Sequence, residues 1–144
     1  MEDQPLHVQQ ARVMATRELA AEALAAAADA IVTVNTQGEI TSWNRAAEVL
    51  LGHTGGHAIG QTLALIIPAE HRARHVGAFD AAMDKGRLAH AGQVARVEAM
   101  TGEGGRLTLA MSLGPLTGPA GAPAGPVAVL RAATAGLVPF VSPA

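Results

Sequence analysis

The residues of this 144-residue chain best suited to chemistry are six histidines, two pairs of which stand four apart. His71 and His75 lie in a segment of helical composition, so their imidazoles would share one face, with Glu70 close by. Two imidazoles and a carboxylate are the outline of a zinc donor set. The pattern is H-x-x-x-H, however, and it lacks the glutamate directly after the first histidine that a zinc hydrolase uses as base. His53 and His57 repeat the spacing inside Gly52-His53-Thr54-Gly55-Gly56-His57, where a helix is not expected. Those glycines do not open a helix with phosphate-binding spacing, and no Ser-His-Asp order stands out. Glu70, Asp80 and Asp84 read as the solvated face of a helix. Without a third convergent ligand or a base, the chain is not expected to be an enzyme.

Composition narrows the remaining classes. The length suits one domain. Cysteine is absent, which removes disulfides, thiolate metal sites and a cysteine nucleophile. Net charge is −2, so no strong field draws the chain to nucleic acid or anionic lipid. Met1–Pro5 carries acids where a secretory signal carries bases, and no apolar run reaches the roughly 18–20 residues of a membrane span. A cytoplasmic location is the expectation. Apolar residues make up 49% but aromatics only 2%, namely Trp43, Phe79 and Phe140. A core of Ala, Val, Leu, Ile and Met leaves space that either a guest or closer packing must fill.

The elements that must position these residues follow from pattern. Residues Met1–Ala30 read as helix, with Val13, Leu19, Ala23 and Leu24 as an apolar stripe. Ile31–Val34 and Glu39–Trp43 read as strands joined by the turn Asn35–Gly38. Asn44 is placed to cap a helix that Gly52 ends, with Glu48 assisting near its start. Pro68 precedes a long helix, Ala69 to about Lys85, closed by Gly86. Val94–Met100 and Leu107–Leu113 alternate with period two around a turn at Thr101–Gly105. Leu116–Gly125 reads as a loop, Val127–Leu130 as a last strand and Arg131–Ala144 as a tail. Two strands, helices, then three strands predict an α+β fold: a five-stranded antiparallel sheet with helices on one face and an N-terminal helix.

The run Asp29-Ala30-Ile31-Val32-Thr33-Val34-Asn35, then Gly38-Glu39-Ile40-Thr41-Ser42-Trp43-Asn44-Arg45-Ala46-Ala47-Glu48, resembles the opening of PAS domains. Leu51-Gly52 with Ile59-Gly60-Gln61, Ile66-Ile67-Pro68, Gly104-Gly105-Arg106 and Val129-Leu130-Arg131 are similar to later segments of the family, in the right order. The resemblance implies a PAS domain over 22–134, a helical extension over 1–21 and a tail over 135–144. Its implied role is sensory, in signal transduction or transcription regulation. Two departures stand out: Glu103 replaces the usual Asp before Gly104, and Ala132-Ala133 replaces the acid that often ends the last strand. The second puts signal output through the C-terminus in doubt.

Segment Ile66–His75 is also similar to the long helix of heme-binding PAS oxygen sensors, which implies His75 as the metal ligand of a heme b. An ungapped alignment places His90, Ala95, Met111 and Leu113 on the opposite side of that pocket. The arginine that steadies oxygen in those sensors falls on Ala95, and Arg96 is one step away, on the other face of a strand. The resemblance thus implies heme, with oxygen, another gas or redox state as signal, or else no cofactor or an unidentified ligand. The partners implied are a second copy, met through the N-terminal helix or the sheet face, and an effector protein in trans; neither nucleic acid nor a membrane is among them. The other reading is a cofactor-free module for dimerisation or protein interaction.

Overall fold

The computed structural model describes residues 5–85 and 92–133. His90, Gly86 and the tail from residue 134 lie outside the described residues. Helix α1 spans Leu6–Ala26, shorter at its end than composition suggests, because Ala27 turns to extended backbone at ψ 138. It leads into β1 (Ala30–Val34) and β2 (Ile40–Trp43), the expected hairpin. Then come α2 (Arg45–Leu51), α3 (Gly55–Ala58) and a 3₁₀ turn at Leu63–Leu65. Another 3₁₀ turn at Ala69–His71 runs into α4 (Arg72–Lys85), and β3 (Val94–Met100), β4 (Arg106–Thr117) and β5 (Pro123–Ala132) follow.

All five strands join one antiparallel sheet in the order β2-β1-β5-β4-β3. The alternation in the sequence decides which face is buried. Ala30, Val32 and Val34 of β1 point inward, opposite Leu130 and Ala128 of β5. Leu107, Leu109 and Met111 of β4 share that face and pack on the core. The scarcity of aromatics is met by closer packing: Ala47 and Leu51 of α2 and Ala58 of α3 are wholly buried and press on the sheet. Trp43 is the one aromatic in the buried set, and Phe79 packs at its margin.

Three further sequence expectations change. Half of the stretch expected as a loop at Leu116–Gly125 is strand, since β4 runs to Thr117 and β5 begins at Pro123. The flanking prolines obscured this, but Pro115 and Pro126 face each other, so the two residues without an N–H donor fall on one rung of the ladder. Gly125 brings β5 against β1 so closely that a Cβ would overlap the Val34 carbonyl, and its φ of +98° suits glycine alone. The Gly/His segment does form a helical turn, α3, because the Thr54 hydroxyl accepts from the His57 amide at 3.2 Å. Glu48, finally, leaves its own helix start and accepts from the Gly55 amide at 2.7 Å, tying α2 to α3.

Candidate functional site

Asn44 is the buried polar side chain that organises the N-terminal half of the fold, with 8% of its surface exposed. Its Oδ1 accepts from the Ala47 amide at 3.0 Å, capping α2, and from the Ile31 amide at 2.9 Å, holding the start of β1. Its Nδ2 donates to the carbonyls of Leu24 and Asp29 at 2.9 and 3.0 Å. One amide thus joins the end of α1, β1 and α2. Arg131 at the end of β5 pairs with Asp29 at the same junction. The rest of α1 stands off: none of its residues is buried, and Leu6, Val13, Met14 and Leu19 are at least half exposed. Its stripe therefore does not cover its own sheet.

Between the β1–β2 turn and α4 lies a cavity of about 240 Å³. Its floor is apolar, from Leu63, Ala64, Ile67, Val76 and Phe79, and its polar groups are Gln37, Thr62, Arg72, His75 and Asp80. Gly38 leaves room for the Phe79 ring, whose edge would lie 3.5 Å from a Cβ there. The Arg72 Nε is committed to the Ile67 carbonyl at 3.1 Å. His75 is half-buried, and burial lowers its pKa, so the ring is neutral near pH 7. No hydrogen-bond partner meets it among the described residues. His75 thus stands in the wall of this cavity.

The other residues tied to His75 by the heme resemblance lie elsewhere. Ala95 faces inward opposite Met111, and Leu113 faces inward opposite Ala128, but none of the three lines this cavity. Arg96 lies on the outer face and is exposed. Ligand pockets for drug-sized molecules run to roughly 300–1,000 Å³, and a porphyrin needs the large end of that range. The residues described here fit a guest smaller than a heme.

Among the described residues, no group of three possible metal ligands includes His75. His71 instead meets Glu70 and Glu98, three groups whose ligand atoms lie within 4.8 Å of one another. Glu98 sits on β3, and sequence spacing gave no signal of it. Arg106 already bridges both carboxylates, reaching Glu98 at 3.2 Å and also Glu70. Glu70 titrates below its usual range, first through its own backbone amide and then through Arg106. The cluster is best described as an ion-pair network that fastens the start of α4 to the sheet edge. The bond from the Met100 amide to the Ile66 carbonyl, at 2.7 Å, reinforces it.

An open sheet with short helices over one face, a long helix beside a cavity and a flanking N-terminal helix define a one-sheet α+β domain. The profile of the family described as PAS fold matches residues 18–132, and the chain belongs to that family. The PAS domain of a protein from Colwellia psychrerythraea superposes with a TM-score of 0.70 at 21% identity, over 83% of this chain and 98% of its own. A PAS domain from a two-component sensor histidine kinase gives a TM-score of 0.67 at 13% identity, over 83% and 98%. A PAS domain of a LuxR-family transcriptional regulator from Burkholderia thailandensis, in complex with ethanol, gives 0.62 at 15% identity, over 80% and 97%. No curated protein matches the sequence. Such domains are typically sensory parts of signal-transduction proteins. No helix among the described residues is long and apolar enough to cross a membrane.

Proposed function

We propose that this domain senses a small, largely apolar molecule carrying one polar group, received between the β1–β2 turn and α4. The observation that carries this is the cavity of about 240 Å³ with a neutral His75, unpartnered among the described residues, in an otherwise mostly apolar wall. Its volume is that of about eight waters in the liquid, which sets the scale of the guest. The ethanol complex of the Burkholderia domain, of the same fold, is consistent with a guest of this scale. Occupancy biases the domain only to the extent that the guest binds its two states differently. The test is native mass spectrometry with a panel of short alcohols, ketones and phenols, run beside Phe79→Trp, which fills the cavity. Binding lost in the variant supports the reading; binding retained removes it. A Soret band that disappears in His75→Ala would instead make the guest a heme.

Output runs to a second copy of the chain or to an effector protein in trans. The exposure of Leu6, Val13, Met14 and Leu19 favours pairing through α1, because a lone 21-residue helix gains little stability in water without a packed face. This feature also supports the second reading, a module that pairs without any guest. Sedimentation of a chain lacking residues 1–20 tests it, and a truncated form that still dimerises counts against α1.

A further inference from the structure

His53 closes the corner between α2 and α3 in a setting that no ligand reading uses. Its Nε2 is shut off from solvent and lacks a partner, although the residue as a whole lies near the surface. Its ring stacks on His57 at 5.3 Å with the planes 19° apart, and the Trp43 ring meets it edge-on at 6.4 Å. The Trp43 indole N–H donates to the His53 carbonyl at 2.9 Å. On the far side the imidazole lies against Gly102, in the turn between β3 and β4. There the Gly102 amide donates to the Leu51 carbonyl at 2.8 Å, and Gly102 approaches Gly52 so closely that a Cβ would overlap its carbonyl oxygen.

Among the described residues, the groups around His53 offer nothing for a proton. From α3 comes His57, which can only add like charge, and from β2 the uncharged Trp43. Glu48 of α2 is committed to the Gly55 amide, and Arg45 and Glu103 point to solvent. From the β3–β4 turn comes backbone at Gly102. We propose that the stacked His53–His57 pair is a proton-operated latch, holding the α2–α3 corner on the β3–β4 turn when neutral and releasing it when His53 is protonated. An imidazolium there has a buried N–H with no acceptor and a second imidazole against its face, and opening relieves both.

The direction of the response follows from linkage. Burial, and then His57, lower the pKa of His53 below its ordinary value near 6.5. The opened corner therefore binds protons more readily than the closed one. Closure is intact above pH 6.5 and weakens as the pH falls from there toward the depressed value.

Trp43 is the single tryptophan of the chain, so its emission reports this corner alone. Titration of the intact chain from pH 8 to 5 is expected to change that emission with one midpoint below 6.5. Between pH 7.5 and 5.5 the Gly102 amide is expected to lose protection from exchange by up to about tenfold, after correction for intrinsic rates. That is the ratio of protonated to neutral imidazole one unit below an unperturbed pKa. His53→Phe keeps a flat ring without a proton to gain, and its emission is expected to be flat across the range. His53→Gln serves the same purpose if the phenylalanine is not accommodated. His57→Gln is expected to raise the midpoint toward 6.5. A flat wild-type titration, an unaltered response in the His53 variants, or an unmoved midpoint in His57→Gln overturns the latch.

Discussion

Replacing Asn44 tests whether one amide holds three elements together. In Asn44→Ala the cap of α2 is lost, which costs about 0.5–2 kcal/mol. The Ile31 amide is left part-buried without its acceptor, at about 1–3 kcal/mol, and the two bonds to Leu24 and Asp29 forfeit about 0.5–1.5 kcal/mol each. Water reaches the part-buried members, so the expected total is about 3–5 kcal/mol, against a stability on the order of 5–15 kcal/mol. Asn44→Asp separates the two halves of the joint. Its carboxylate can still accept from Ala47 and Ile31 but sets an oxygen against the carbonyls of Leu24 and Asp29. Urea unfolding gives the stabilities, and exchange at the Ile31 amide gives the local effect. Protection there should vanish in the alanine variant and survive in the aspartate variant, while the end of α1 loosens in both. An alanine variant within about 1 kcal/mol of wild type would show that the joint is not where α1 is held.

Gly125→Ala should destabilise by more than the roughly 1–3 kcal/mol typical of overpacking, because an overlap with the Val34 carbonyl adds to a backbone at φ +98°. A loss in urea below 1 kcal/mol would contradict the close approach of β5 to β1. Arg106→Ala should raise the Glu70 pKa toward its ordinary value, read by carboxyl NMR. Since Glu70 is depressed in the folded chain, the contribution of that pair is present above the unfolded pKa and fades as pH falls through the folded one. Both side chains are about half exposed, so added salt should shrink the difference, and a Glu70 titration unchanged by the substitution would remove Arg106 as a cause.

What the sequence disclosed and what it hid divide along a physical line. The hairpin, the Asn44 cap, the Gly52 stop and the inward alternation of Leu107, Leu109 and Met111 are local signals, set by neighbours within a few residues. The same alternation separates Ala95 from Arg96, and they do lie on opposite faces of the sheet. The strand length around Pro115 and Pro126 was hidden because proline and glycine mark breaks locally, whereas here pairing across the sheet overrides them. The meeting of Glu70 and His71 with Glu98 and Arg106 depends on how the start of α4 lies against the sheet edge, which no periodicity encodes. The cavity was expected somewhere between sheet and helices. It lies at the rim because Val32, Ile40, Leu51 and Leu109 fill the centre.

That arrangement also decides which parts of the domain are free to respond. The buried residues lie mainly in the sheet, α2 and α3, with Ile66 and Pro68 just ahead of α4, while neither α1 nor α4 buries any. Each outer helix is held at one end: α1 by Asn44 and the Asp29–Arg131 pair, α4 by the Glu70–Arg106–Glu98 network and the Ile66–Met100 bond. Segments with few buried contacts open at the least free energy. The cavity lies beneath α4, and from the turn at Gln37 and Gly38 on its rim β1 leads back to the α1 joint at Ile31. On the proposed reading, a guest that repositioned α4 would act where the fold resists least. The hairpin, rather than the packed centre, would then be the shortest covalent route from that event to the helix standing clear of the domain.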